Sequence, residues 1–180
     1  MKILITGAYG QLGSELKELS GQYPYWKFLF TDVDSLDITK GKEISEFFDK
    51  EKPDFAVNCA AYTAVDKAEA DFSNAWKINA AAPGFLAGVT RKSGAGFITI
   101  STDYVYGGES FRPYTESDKA DPQSVYGQTK LEGEIISRNE NPDSVIIRTS
   151  WLYSSYGNNF VKKMLSLSGK HETLRVVYDQ

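Results

Sequence analysis

Cysteine and histidine are nearly absent from this sequence of 180 residues, which contains one of each. The lone cysteine, Cys59, cannot form an internal disulfide, and its apolar surroundings (FAVNCAA) predict a small buried residue. The lone histidine, His171, lies in a polar stretch, which disfavours histidine catalysis and a histidine metal site. Any chemistry must therefore use other side chains, and the cysteine content is typical of a reducing cytoplasm.

Long apolar runs and an excess of positive charge are also missing. No segment approaches the roughly eighteen apolar residues of a membrane span, and the first apolar run is too short for a signal peptide. The net charge of −4 argues against a nucleic-acid-binding surface. With 41% hydrophobic and 24% charged residues, the composition predicts a cytoplasmic globular protein with neither a membrane nor a nucleic-acid partner.

Short apolar or β-branched runs alternate with amphipathic stretches along the whole chain. The predicted strands are 2–6, 27–31, 55–60, 96–101, 144–149 and 174–178. The predicted helices are 11–20, 41–50, 64–92, 125–138 and 158–168. This alternation predicts an α/β fold with a doubly wound parallel sheet of the Rossmann type, formed by residues 1–180 as one dinucleotide-binding domain.

Two irregular regions complete this outline. The segment 103–124 is rich in Gly, Pro, Asp and Ser and predicts a long loop directly before a helix. The last predicted strand stops at the end of the chain with no element after it, so a smaller C-terminal substrate domain is expected to be absent from this chain.

The first strand runs into a glycine turn, TGAYGQLG, that opens the first helix. Gly7, Gly10 and Gly13 permit a tight turn, a close approach of backbone N–H groups to a pyrophosphate, and close packing of helix on strand. The spacing is not the G-x-G-x-x-G form, and a glycine-rich turn without a ligand remains an alternative. Asp32 directly follows the second predicted strand, and its carboxylate can bind ribose hydroxyls and repel a 2′-phosphate, which favours NADH over NADPH.

Tyr126 and Lys130 are four residues apart in a predicted helix and so share one face. A tyrosine hydroxyl can protonate the oxygen of a ketone that receives hydride, but the phenolate costs about 4 kcal/mol near pH 7. A neighbouring ammonium would stabilise that developing charge. Thr102, at the end of a strand, is predicted to hold the ketone oxygen. Ser101 is the competing candidate, since only one of two strand neighbours faces a given side.

Several motifs together resemble a known family. TGAYGQLG, Asp32, NCAAYTAVDKAE, the IN of KINAA, STDYVY, YGQTK and RTSWLY occur in the order seen in the extended short-chain dehydrogenase/reductases, and most resemble the dTDP-4-dehydrorhamnose reductases. The resemblance covers essentially all 180 residues. It implies NADH- or NADPH-dependent reduction of the C4 ketone of a dTDP-sugar, dTDP-4-dehydro-L-rhamnose, in the synthesis of dTDP-L-rhamnose for cell-surface polysaccharide.

The resemblance also implies a set of site residues. The catalytic residues would be Thr102, Tyr126 and Lys130, and the sugar contacts would be Thr102, Asp103 and Trp151. The cofactor contacts would be Gly7, Tyr9, Gly10, Gln11, Leu12, Gly13, Asp32, Asp37, Ile38, Ala61, Tyr62, Thr63, Tyr126 and Lys130. Simpler roles remain open: Asp34 or Asp37 as a solvated turn residue or helix cap, Trp151 as a core aromatic, and Asn79 as a partner for a backbone group.

Relatives in this family suggest two further features. Some dimerise around Mg²⁺ held partly by a glutamate that Glu15 matches, so a homodimer is possible here, but no metal is assigned to this chain. The charges of AVDKAE (64–69) are expected to form a solvated helix face outside the site. Two other functions stay open: a nucleotide-sugar epimerase or dehydratase of the same superfamily, and a non-catalytic regulatory subunit resembling the methionine adenosyltransferase β subunit.

Overall fold

The computed structural model describes residues 1–170, 172–174 and 176 and contains a five-stranded parallel sheet. The strands are β1 Lys2–Thr6, β2 Lys27–Thr31, β3 Phe55–Asn58, β4 Gly96–Thr102 and β5 Val145–Thr149. Their order in the sheet is β2-β1-β3-β4-β5, and all neighbouring pairs are parallel. The predicted doubly wound α/β class is therefore confirmed. The sixth predicted strand, 174–178, lies mostly outside the described residues.

Seven α-helices in the described part of the chain connect and cover the strands. They are α1 Gln11–Leu19, α2 Gly41–Glu51, α3 Val65–Ala68, α4 Phe72–Trp76, α5 Ala82–Ser93, α6 Val125–Glu140 and α7 Phe160–Ser168. The predicted helical stretch 64–92 is divided into α3, α4 and α5, with a π-helical turn at Lys77–Ala81 joining α4 to α5. No described helix combines the length and the apolar content that crossing a bilayer requires.

The core lies on both faces of the sheet because the strands are apolar throughout. On one face, Leu4 and Phe97 pack with Ile44 and Phe48 of α2 and Leu86 of α5. On the other face, Ile3 and Ile5 of β1 pack against Leu16 of α1 and aromatic residues of β2. Alternating side chains of one strand thus serve two separate clusters, as expected for a strand buried on both sides.

The strand order places a cleft at the carboxyl-terminal ends of the strands. From β1 the chain moves outward to β2 and then crosses back over β1 to β3. The segments that follow β1 and β3 therefore diverge, and ligands of such sheets bind in the crevice beyond the carboxyl ends of the strands at this reversal. In this chain the glycine turn and Asp32 follow the carboxyl ends of β1 and β2, and Thr102 is the last residue of β4.

Candidate active site

A cleft of about 820 Å³ opens at the carboxyl edge of the sheet. It brings together most of the residues that the sequence singles out. Those that line it are Gly7, Gly10, Gln11, Leu12, Asp32, Asp37, Ile38, Ala61, Thr63, Thr102, Asp103, Tyr126, Lys130 and Trp151. Three others lie outside this lining: Tyr9, Gly13 and Tyr62. Ser101, the competing candidate to Thr102, also lines the cleft, as do Tyr104 and Cys59, which were not predicted as site residues.

The three glycines of the turn have two different roles: two allow close packing of the backbone, and one leaves open space at the cleft. A Cβ atom on Gly13 would come within 2.3 Å of the Gly7 carbonyl oxygen, and one on Gly7 within 2.6 Å of the Ala60 nitrogen. Gly7 also has a φ of +63°. These two glycines are therefore required by the turn and by the approach of β1 to the segment after β3.

Gly10 differs, because its φ is −73° and the only near neighbour of a Cβ would be the Gly7 carbonyl oxygen at 3.3 Å. It precedes α1, and no side chain caps the first turn of that helix. The site therefore offers backbone N–H donors, a helix N-terminus and open space that a side chain would fill, which fits the pyrophosphate of a dinucleotide.

Asp32 links the second strand to this turn. Its carboxylate accepts hydrogen bonds from the backbone nitrogens of Tyr9 at 3.1 Å and Val33 at 2.9 Å. Asp37 instead closes a local turn by accepting from the backbone nitrogen and hydroxyl of Thr39, and these bonds lower the pKa of its carboxyl group. Asp37 therefore has the predicted turn role while still lining the cleft.

The side chain of Gln11 is engaged within the protein. Its amide nitrogen donates to the Leu152 carbonyl at 2.8 Å, and its oxygen accepts from Asn159 at 3.0 Å. These bonds fasten the segment after β5 onto the start of α1. That segment holds Trp151, which has a φ of +51° and is 64% exposed, with its ring edge against Phe160. The alternative that Trp151 is a core aromatic is therefore wrong. Its backbone is strained, and its exposed side chain lines the cleft.

Lys130 is 4% exposed, and its ammonium donates to the Ile100 carbonyl of β4 at 2.6 Å. Burial lowers the pKa of Lys130 to about 8, and the Glu134 carboxylate opposes that fall. Burial raises the pKa of the Tyr126 phenol, the Thr102 hydroxyl lowers it, and the Asp103 charge raises it. The pair is thus a buried cation and a half-buried phenol on one helix face beside the end of β4.

Thr102 and Ser101 are both buried, so exposure does not decide between them. The Thr102 hydroxyl donates to Asp103 at 3.0 Å and accepts from the backbone nitrogen of Tyr104 at 3.2 Å. The Ser101 hydroxyl has no hydrogen-bond partner within the described part of the chain. Thr102 is favoured over Ser101 because hydrogen bonding by the Thr102 hydroxyl lowers the pKa of the Tyr126 phenol.

Two residues outside the lining fix the helix that carries the pair. Asn79, in the π-helical turn, accepts from the Tyr62 nitrogen at 2.8 Å and donates to the Tyr62 carbonyl and the Thr129 hydroxyl. It therefore both satisfies backbone groups and supports α6. Glu69 accepts from the Val125 nitrogen at 2.9 Å, at the start of α6. Glu69 is exposed and lies outside the cleft, as expected for the charges of 64–69, but it also contacts the first turn of α6 across 56 residues, which no local sequence pattern predicts.

Comparison with known proteins shows which family this chain is similar to. The family model described as RmlD substrate binding domain matches residues 1–180. A dTDP-4-dehydrorhamnose reductase of Aggregatibacter actinomycetemcomitans is 41% identical over 179 residues, which are 99% of this chain and 61% of the relative.

Two solved structures of proteins with the same name are also similar. That of Clostridium acetobutylicum has a TM-score of 0.96 and 49% identity, covering 100% of this chain and 64% of the other. That of Bacillus anthracis, in complex with NADP, has a TM-score of 0.91 and 37% identity, covering 95% and 60%. This chain thus spans about three fifths of the length of these relatives. It belongs to the RmlD substrate binding domain family.

Proposed function

We propose that the full-length protein reduces the C4 ketone of dTDP-4-dehydro-L-rhamnose to dTDP-L-rhamnose with a reduced nicotinamide dinucleotide. The observation that carries the proposal is the meeting of Tyr126, Lys130 and Thr102 at a cleft that also contains the glycine turn. The names of the relatives support the sugar and the reaction. The smaller C-terminal substrate domain, the homodimer and the cytoplasmic location stay predictions from the sequence.

The proposed cofactor-binding residues lie in the segments that follow β1 and β2. Gly10 and the N-terminus of α1 would bind the pyrophosphate, Asp32 the adenosine ribose, and Asp37 and Ile38 the adenine edge. The reduced nicotinamide supplies the hydride when it is bound. Lys130 would also bond the nicotinamide ribose, since an ammonium has three donors and the Ile100 carbonyl takes one.

Tyr126 is the proposed proton donor to the ketone oxygen. Burial makes its phenolate costlier than in water, so the step needs a positive charge nearby. Lys130 provides that charge because it is mostly protonated below its pKa of about 8. Thr102 would turn its hydroxyl from Asp103 to the ketone oxygen and hold it in place, leaving Asp103 free for a sugar hydroxyl. Trp151 would offer a flat apolar face to the deoxysugar.

The test is oxidation of NADH and of NADPH by the full-length protein, with dTDP-4-dehydro-L-rhamnose present and absent. Sugar-dependent oxidation, with dTDP-L-rhamnose as the product, is the expected result. Tight dinucleotide binding without sugar-dependent oxidation would instead favour a regulatory subunit. Tightly held NAD that returns to its oxidised form in each turnover would favour an epimerase or dehydratase.

Replacing Gly10 and Gly13 by alanine separates ligand binding from folding. We expect Gly10→Ala to change the free energy of unfolding by less than about 1 kcal/mol but to weaken dinucleotide binding at least about tenfold, because the methyl group occupies the pyrophosphate space. We expect Gly13→Ala to lower the free energy of unfolding by about 2 kcal/mol or more, because its Cβ meets only backbone atoms. Urea unfolding and calorimetric titration with NADH measure both effects. Equal stability of the two variants would contradict this division.

Asp32 is proposed to set the cofactor preference in favour of NADH. We expect Asp32→Asn to raise the ratio of kcat/KM for NADPH to that for NADH by about tenfold, because the like-charge repulsion of the 2′-phosphate is removed. Asp34→Asn is the matched control, since Asp34 is exposed and does not line the cleft. An equal change in both variants, or none in either, would show that Asp32 does not make the choice.

A further inference from the structure

Glu134 lies one helical turn beyond Lys130 on α6 and is only 6% exposed. Arg148 of β5 fixes its carboxylate with three contacts. The guanidinium Nε donates to both carboxylate oxygens, at 2.9 and 3.2 Å, and Nη2 donates to Oε2 at 2.6 Å. This fork binds the carboxylate in one plane, so Glu134 is held far more rigidly than a surface glutamate would be.

The other side of Arg148 is fixed as well. Its Nη1 donates to the Tyr106 hydroxyl at 2.7 Å, and its guanidinium lies 4.9 Å from the centre of the Tyr106 ring. The Tyr106 hydroxyl in turn donates to the Thr115 carbonyl at 2.9 Å, and its ring stacks on Tyr114. The cluster thus joins α6, β5 and the 103–124 loop around one carboxylate.

A buried ion pair of this kind is costly to desolvate, and packing alone does not explain why it is kept. The position of Glu134 explains why the pair is kept. Lys130 lies four residues before Glu134 on α6, and residues four apart on a helix are neighbours. Lys130 is buried, and a buried ammonium tends to lose its proton unless a negative charge is close.

Other titratable groups line the cleft or pack beside it: Tyr126, Asp103, Tyr104, Cys59, Asp32, Asp37 and Arg148. Burial raises the pKa of the Cys59 thiol to about 12, so it is neutral where Lys130 titrates. Asp103 acts on the Tyr126 phenol, whereas Glu134 is the charged neighbour that raises the pKa of Lys130.

We propose that Glu134 is a positioning residue for the reduction, whose carboxylate, clamped by Arg148 one helical turn from Lys130, keeps the Lys130 ammonium charged. The inference rests on the proposed function for its catalytic meaning, since Lys130 is there the cation that supports the Tyr126 phenolate. The interaction of Glu134 with Lys130 itself can be measured without any turnover.

The experiment follows Lys130 in two ways in the full-length protein. Lysine labelled with ¹³C at Cε gives a resonance for Lys130, assigned through Lys130→Arg, whose titration reports the protonation of the amine. The pH dependence of kcat reports the same group during turnover. We expect Glu134→Gln to move both the titration and the alkaline limb of kcat to lower pH by about one unit.

Two further variants separate charge from folding. Glu134→Asp keeps the negative charge, so we expect it to restore most of the titration even if the fork to Arg148 is imperfect. Glu140→Gln removes a charge from the exposed end of the same helix and is expected to leave the Lys130 titration unchanged. If Glu134→Gln does not fold, Glu134→Asp and Arg148→Lys still test the clamp, because a loosened carboxylate should give a smaller shift in the same direction.

The outcomes separate this inference from the proposed function. An unchanged Lys130 titration in Glu134→Gln, or equal shifts in Glu134→Gln and Glu140→Gln, overturns the role of Glu134 whether or not the protein is a reductase. A shifted titration in a protein that does not reduce the sugar supports the interaction of Glu134 with Lys130 and overturns the proposed function instead.

Discussion

Tyr126→Phe is expected to lower kcat for sugar reduction by about a thousandfold while leaving dinucleotide binding within about threefold of the original. The variant keeps the ring, which is half-buried and makes a T-shaped contact with Tyr104, so the helix face is preserved. It removes the proton that the ketone oxygen must receive, and general acids contribute about 10²- to 10⁴-fold. Single-turnover oxidation of NADH and equilibrium titration with the dinucleotide measure the two quantities.

Tyr104→Phe is the matched control for this prediction. Tyr104 lines the same cleft, its ring centre is 5.5 Å from that of Tyr126, and it is 44% exposed. Removing its hydroxyl leaves Tyr126 intact, so kcat is expected to fall by less than about tenfold. A loss as large as that of Tyr126→Phe would move the proton donor to Tyr104, and a small loss in both variants would refute a tyrosine donor.

Lys130→Met is expected to abolish turnover and at the same time to stabilise the fold by about 2 kcal/mol at neutral pH. The folded protein holds the pKa of Lys130 at about 8, well below the ordinary 10.5, because the ammonium is buried. That difference corresponds to about 3 kcal/mol of lost stability while the group is charged. Methionine fills a similar volume without the charge, and the lost bond to the Ile100 carbonyl reduces the gain.

The sign of the pH dependence follows from the same lowered pKa. Between about pH 8 and 10.5 the unfolded chain binds the Lys130 proton and the folded protein does not, so the free energy of unfolding rises with pH across this range. Below about pH 8 the cost of burying the charge is fully present. The advantage of Lys130→Met is therefore expected to be largest near neutral pH and to shrink as the pH approaches 10.5.

Urea unfolding of both proteins at neutral pH and near pH 10 measures this difference. Lys92→Met, at an exposed lysine of α5, is the control and is expected to change the free energy of unfolding by less than about 0.5 kcal/mol at either pH. A Lys130→Met protein that is less stable at neutral pH would show that the ammonium is not costly in the fold. The expected result would mean that a destabilising charge is retained for its function.

The order of strands and helices was readable from the sequence because it depends on local pattern. Apolar runs such as KILIT and KFLFT are typical of strands in a parallel sheet, and the structure places them as β1, which is buried on both faces, and as β2, a partly buried edge strand. Turn chemistry is local too, so the three glycines predict the turn after β1. The long stretch 64–92 was less predictable, because its division at the π-helical turn depends on where Asn79 meets Tyr62 and Thr129.

The sequence by itself determined the alternating fold, the glycine turn and the spacing that puts Tyr126 and Lys130 on one helix face, since each follows from residue type at short range. Only the tertiary structure decided what surrounds them. Glu69 reaches α6 across 56 residues, and Arg148 clamps Glu134 from another strand. Burial, which sets the charge of Lys130, is a property of packed elements, and no local pattern of residues encodes it.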